Sequence, residues 1–295
     1  MVDTRILEQR LGWRNSEPDQ AAGPPPRPMG HSPKLQGRVE HANRAAPKSG
    51  SRRVAVDEVW ERLPSTFRDI ESLVGRAGRV PAIDRGSASG SAFDQLRTQM
   101  MRVVQANDWT RIGVTSPARG AGRSFFAAGL AASVARIEAM RVLLIDADLE
   151  EPGLGKVLGT RAPGPMEEIL TGRREPETQL IRTGAGLAVA LNSKAVKYGA
   201  ELFLSHEAIR AINDIVDMLA PNVVILDMPP LLNDTASQAL LPQLDAVILV
   251  SDGLSTSATE IVECERLLDG QVPLLGVALN KSEDRDPRVT SRRRI

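Results

Sequence analysis

Cysteine is almost missing from this sequence: Cys264 is the only one in 295 residues. No disulfide can form within the chain, which agrees with a reducing compartment. Aromatic residues are scarce, at 3%. The 42% hydrophobic fraction must therefore be built from Ala, Val, Leu and Ile, which favours an α/β domain over an all-β sandwich. The three histidines, His31, His41 and His206, are scattered and fit no zinc spacing. No apolar run approaches the roughly 18 residues of a membrane span. The opening "MVDTRILEQRLGWRN" has no apolar stretch of a secretory signal. These absences predict a cytoplasmic protein. Net charge is zero, but it is unevenly spread. Residues 1–53 hold ten Lys/Arg against five Asp/Glu, a net of +5, so the remainder carries −5. An acidic body excludes a nucleic-acid-binding domain, so no nucleic acid is expected as a partner.

What is present falls into four stretches. Residues 1–53 are expected to form a disordered, Pro-rich basic arm, because "AAGPPPRPMGHSPK" cannot bury enough apolar surface to offset its ordering entropy. Residues 54–84 form a helical linker segment, and residues 284–295 a basic flexible tail. Between them, 85–283 alternates strand and helix. "RIGVTS", "RVLLIDAD", "GLAVALN", "NVVILDMPP", "DAVILVSD" and "LLGVALNKS" are continuous apolar runs, as strands covered on both faces must be. "SFFAAGLAASVARIEA", "GPMEEILTG", "HEAIRAINDIVDMLA", "TASQALLPQL" and "SATEIVECERLLDG" read as the intervening helices, the last capped at or near Ser257. A helix near Ser91 precedes them, with Phe93, Leu96, Met100, Val103 and Val104 at helical spacing. The fold class is α/β, a doubly wound and mainly parallel sheet with helices on both faces.

"TSPARGAGRS", residues 115–124, lies between the first strand and its helix. Phosphates are held where a strand ends, glycines bend the backbone and a helix begins, because N–H groups then converge and the helix terminus adds positive potential. In the common loop a Lys reaches the terminal phosphates and a Ser or Thr binds magnesium. Ser124 suits the second task, and Arg123 stands at the Lys position. A βα turn with glycines for close packing has the same sequence. Three carboxylates at strand ends tip the balance: Asp146 and Asp148 in "IDAD" and Asp227 in "LDMPP". They would face the same crevice and suit a magnesium ion. Cys264, on an amphipathic helix, reads as a buried small residue rather than a nucleophile.

The order "VTSPARGAGRSFFAAGLAASVA", "RVLLIDADLEEPGLGKVLG", "NVVILDMPPLLNDTASQALLPQLDAVILV", "LLGVALNK" resembles the bacterial tyrosine kinases of capsule and exopolysaccharide synthesis, P-loop relatives of the cell-division and partition ATPases, over about residues 87–282. The resemblance implies a P-loop NTPase fold with ATP and Mg2+ as cofactors. It implies that Arg119, Gly120, Ala121, Gly122, Arg123, Ser124 and Phe125 cradle the nucleotide, and that Asn280 contacts the adenine. Ser124, Asp146 and Asp227 would hold the metal, and Arg123, Asp146, Asp148 and Asp227 would form the catalytic set. As partners it implies a membrane protein that regulates polysaccharide chain length, with a possible homo-oligomer, so that the chain sits peripherally at the inner membrane.

The chain departs from that family in four places. Arg123 replaces the loop Lys, and a planar, bidentate guanidinium is not a conservative exchange at a tight site. Tyr198 is the only tyrosine, so the family's acceptor cluster at the C-terminal end is missing. The Glu-x-x-Arg-x-x-Arg pattern of the helix before the domain reads Ser91, Asp94, Arg97. Glu150 and Glu151 stand where the family has arginines. Two main classes therefore stay open: an ATP-dependent enzyme, or a nucleotide-responsive regulatory module with little turnover. A partition-type ATPase is the third, weakened by Ala118 at the position of that group's extra lysine.

Overall fold

The computed structural model describes residues 49–65, 88–232 and 234–281. The expected features of residues 1–48, 66–87 and 282–295, including most of the basic arm, much of the linker and the tail, lie outside the described residues. Helix α1 (Ser49–Arg62) crosses the boundary expected at residue 53. It is followed by α2 (Ala88–Ala106), β1 (Arg111–Thr115), α3 (Arg123–Ala135) and β2 (Val142–Asp146). The middle of the chain contributes α4 (Leu154–Leu158), α5 (Met166–Leu170), β3 (Leu180–Arg182), β4 (Leu187–Ala190), α6 (Gly199–Leu204) and α7 (His206–Leu219). The last elements are β5 (Val223–Asp227), α8 (Thr235–Leu240), β6 (Ala246–Asp252), α9 (Ala258–Leu268) and β7 (Leu274–Asn280).

The strands form one sheet in the order β3-β4-β2-β5-β1-β6-β7. Every pairing is parallel except β3 with β4, which is antiparallel. The doubly wound α/β architecture is thus present, with β5 in the middle, β1 beside it and an antiparallel strand at one edge. Six of the seven strands coincide with the apolar runs of the sequence. The seventh, β3, is three residues long and too short to carry a period.

Side chains alternate across the pleat, so the sheet separates two cores. On one face, Ile112 and Val114 of β1 and Leu144 of β2 meet Phe126 and Leu130 of α3 and Phe93, Leu96 and Met100 of α2. Phe93 packs edge-to-face on Phe126 with centroids 5.4 Å apart, a favoured arrangement for paired rings. On the other face, Leu143 and Ile145 of β2 and Val224 and Leu226 of β5 meet Ile212 and Ile215 of α7. Cys264 lies fully buried in this second core and its thiol is pushed up to about 12, chiefly by desolvation, so it is packing and not a nucleophile.

Two attachments fix the flanks. Trp60 of α1 is buried, donates its indole N–H to the Leu219 carbonyl at 2.8 Å, and lies under the Arg141 guanidinium, 5.4 Å away. Asp94 of α2 accepts from Arg97 at 3.0 Å, from Arg136 at 3.2 Å and from the Ser133 hydroxyl at 2.5 Å, tying α2 to the end of α3. Arg97 also donates to the Ser133 carbonyl, so this arginine is engaged within its own domain.

Candidate nucleotide site

Residues 116–122 link the carboxyl end of β1 to the start of α3. Gly120 (φ +87°) and Gly122 (φ +91°) are both left-handed, a conformation that a side chain strains. Gly122 is also the residue before the helix, and no side chain caps the helix there. The first N–H groups of α3 therefore keep their donors free for a ligand, with the helix dipole behind them. A Cβ on Gly122 would run into the Asn280 amide, and one on Gly153 would meet the Ser124 hydroxyl at 2.5 Å. Asn280 and Gly153 thus lie close against the loop at Gly122 and Ser124.

Strand register brings the carboxylates to it. Asp227, the last residue of β5, pairs across the sheet with Val114 of β1 and with Asp146, the last residue of β2. Both Asp146 and Asp227 are fully buried, and none of their four carboxylate oxygens has a hydrogen bond of normal length and angle; the nearest donors are the Leu154 and Asn192 N–H groups for Asp146 and the Ser124 hydroxyl for Asp227. Burial raises the Asp146 carboxyl to about 8, with the charges of Asp227 and Asp148 adding to the effect. Burial likewise raises Asp227 to about 7, opposed by the Ser124 hydroxyl and the Arg123 charge. Two neighbouring, under-satisfied buried acids are costly and call for a compensating cation. Together with the Ser124 hydroxyl they form a hard-oxygen donor set of the kind magnesium takes.

Arg123 is nearly buried and points across the loop. It donates to Asp148 Oδ2 at 2.8 Å, to Ser116 Oγ at 2.9 Å and to the Ala118 carbonyl at 3.3 Å, while its Nε has no partner. Asp148 also takes Arg119 at 3.1 Å. The exposed side of Arg119 meets Glu151 at 3.2 Å, Asp234 at 3.3 Å and Glu150 at 3.5 Å. The charge-reversed pair Glu150-Glu151 thus has a local reason: it faces an arginine in the loop.

The structure gathers Arg119, Gly120, Ala121, Gly122, Arg123, Ser124, Asp146, Asp148 and Asp227 at one end of the sheet. Phe125 starts the same helix, but its ring turns away to stand edge-on to Phe93. Asn280, at the end of β7, is also there, with its amide donating to the Ala121 carbonyl at 2.8 Å. Sequence reasoning missed Asp234, Asp252 and Lys281. Lys281 donates to the Gly120 carbonyl at 2.7 Å and pairs with Asp252 at 2.9 Å. The only signal for it was its place directly after Asn280. Tyr198, half exposed, donates its hydroxyl to Glu167 at 2.7 Å.

No family model matches the chain. EpsB of Ralstonia solanacearum, which carries a tyrosine-protein kinase name, is 30% identical over 207 residues, 69% of this chain and 26% of EpsB. The chain therefore spans about a quarter of the length of that relative. Among solved structures, the chimerical protein CapA2B2 superposes with a TM-score of 0.61 at 25% identity, covering 75% of this chain and 93% of that one. The kinase domain of the Escherichia coli tyrosine kinase ETK gives 0.64 at 22% identity, covering 71% and 83%. Over the residues they share, this chain is thus similar in sequence to EpsB and to CapA2B2, and it has the fold of the ETK kinase domain.

Proposed function

We propose that this chain binds Mg-ATP at the 117–124 loop and works in exopolysaccharide or capsule synthesis as the cytoplasmic nucleotide-responsive component of a membrane chain-length regulator. One observation carries the reading: the buried, under-satisfied carboxylates of Asp146 and Asp227 beside the uncapped start of α3. The loop N–H groups would hold the phosphates. Ser124, Asp146 and Asp227 would hold the magnesium, which when bound neutralises phosphate charge. Asn280 sits at the edge of the loop where a base would lie. Polysaccharide synthesis and the membrane partner rest on the resemblance of the sequence to the tyrosine kinases of capsule and exopolysaccharide synthesis, and among the described residues no helix is long and apolar enough to cross a membrane.

A specific feature favours binding with slow turnover over fast phosphoryl transfer. Arg123 is held in place by Asp148, Ser116 and the Ala118 carbonyl. A broad guanidinium fixed in this way stabilises bound phosphate and transition state about equally, and uniform binding does not raise turnover. The test is Arg123→Lys against the natural protein at saturating Mg-ATP. We expect Arg123→Lys to turn ATP over faster and Arg123→Ala to lose ATP binding. A natural protein faster than Arg123→Lys would show that arginine replaces lysine in catalysis, and the chain would then be an active enzyme.

A further inference from the structure

A phosphate cradle is made of N–H groups turned toward one point, so the carbonyls of the same loop must turn away and need partners elsewhere. Here two consecutive loop carbonyls are met from the far end of the chain. Asn280 donates to Ala121 at 2.8 Å, and Lys281 donates to Gly120 at 2.7 Å. Lys281 is the residue at which the chain leaves β7. Its backbone is left-handed, with φ +54°, an uncommon conformation for a residue with a side chain. The same ammonium pairs at 2.9 Å with Asp252, the last residue of β6.

Asp252 is itself fixed: one oxygen accepts the Leu254 N–H at 2.8 Å, and the next residue's N–H, from Gly253, donates to the Asn280 carbonyl at 2.9 Å. The ends of β6 and β7 thus form a rigid mount, and Lys281 connects it to the back of the glycine loop. Gly120 has no neighbour within 4 Å of where a Cβ would stand, and its φ is +87°. The loop is therefore open at that point and is not packed into shape by side chains. Arg123, at the position of the usual loop lysine, is occupied with Asp148.

We infer that Lys281 is a positioning residue for the phosphate loop, holding the Gly120 peptide from behind so that the loop N–H groups face the anion. The inference rests on the nucleotide-site reading above. It assigns the chain's compact, flexible ammonium to the outer side of the loop and leaves the inner side to the arginine. A hydrogen bond from a charged donor to a carbonyl is stronger than a neutral one. Because Lys281 is partly exposed, its contribution lies in the shape of the loop rather than in the stability of the domain.

The experiment uses the full chain and three variants. Lys281→Met keeps the stem and removes the donors; Lys281→Arg keeps the charge; Asp252→Asn loosens the mount. Mg-ADP affinity is measured by calorimetric titration, amide hydrogen exchange over residues 117–124 in nucleotide-free protein, and thermal midpoint by circular dichroism. We expect Lys281→Met to weaken Mg-ADP about tenfold, the order expected for a lost bond from a charged donor. It should speed loop exchange while leaving the midpoint within about 2 °C of the natural protein, since partly exposed ion pairs add little to stability. Lys281→Arg should recover part of the affinity, and Asp252→Asn should fall between. Lys281→Met binding Mg-ADP within about twofold of the natural protein, with unchanged loop exchange, overturns the inference alone. A natural protein that binds no Mg-ADP overturns the site reading and the inference with it. A loss of affinity that tracks a fall in thermal midpoint across all three variants would show a structural role and also overturn it.

Discussion

Replacing Asp227 by asparagine should stabilise the nucleotide-free protein at neutral and alkaline pH, and not in acid. Asp227 is completely buried, and the Ser124 hydroxyl beside it offsets only part of the cost of its burial. Desolvation raises its carboxyl from the ordinary 3.8 to about 7. An acid whose value is raised by folding contributes stability that is complete below its unfolded value and is lost as pH rises through the folded value. The penalty therefore grows from about pH 4 and is complete above about pH 7. Moving the carboxyl from 3.8 to about 7 corresponds to on the order of 4 kcal/mol once the group is charged. An asparagine avoids the charge but leaves a buried amide whose own unmet bonds cost about 1–3 kcal/mol. The net gain for Asp227→Asn at pH 8 is then roughly 1–3 kcal/mol. At pH 5 only about 1–2 kcal/mol of that penalty has accrued, comparable to the cost of the amide's unmet bonds, so the two proteins should match within about 2 kcal/mol. Urea denaturation monitored by circular dichroism at pH 5 and pH 8 reads this difference directly. A variant equally destabilised at both pH values would refute the reasoning, because it would mean that Ser124 and Arg123 offset the burial of the Asp227 charge in full.

Three further outcomes follow from the same geometry. Gly122→Ala places a side chain at φ +91° against the Asn280 amide, so Mg-ATP affinity should fall by more than about tenfold, a cost on the scale of a strained left-handed residue, as read by titration. Asp148→Asn removes the buried partner shared by Arg123 and Arg119; loss of one member of a buried pair should destabilise the domain by about 3 kcal/mol in denaturant melts. Trp60→Ala should cost about 3 kcal/mol and free α1 to early proteolysis, because the indole is both packed and hydrogen bonded to Leu219.

Much of this was legible in the sequence because parallel strands are uninterrupted apolar runs and phosphate loops are local. "VLLID", "VVILD" and the glycines at 120 and 122 each announce themselves within a few residues. Ser257 was visible as a helix cap, and the structure adds Glu260 to complete a capping box there. The elements that escaped were short: β3, α4 and α6 have three, five and six residues, and their positions come from tertiary packing rather than from a repeating pattern. The same limit applied at the site. The partners of Arg119 are 29 to 115 residues away, and Lys281 bonds a carbonyl 161 residues away. No spacing rule links such residues, since only the strand order β2-β5-β1-β6-β7 brings their ends together. The sequence also placed Arg123 in the loop without indicating that Asp148 would hold it.

The central claim is that the glycine loop and the buried carboxylates form one magnesium-dependent nucleotide site. Calorimetric titration of the natural protein and of Ser124→Ala with ATP, each with magnesium and with chelator, tests it most directly. The account predicts binding by the natural protein that weakens when magnesium is removed, and a Ser124→Ala variant whose affinity no longer responds fully to the metal. Absence of ATP binding in the natural protein, or equal affinity with and without magnesium in both proteins, would contradict it.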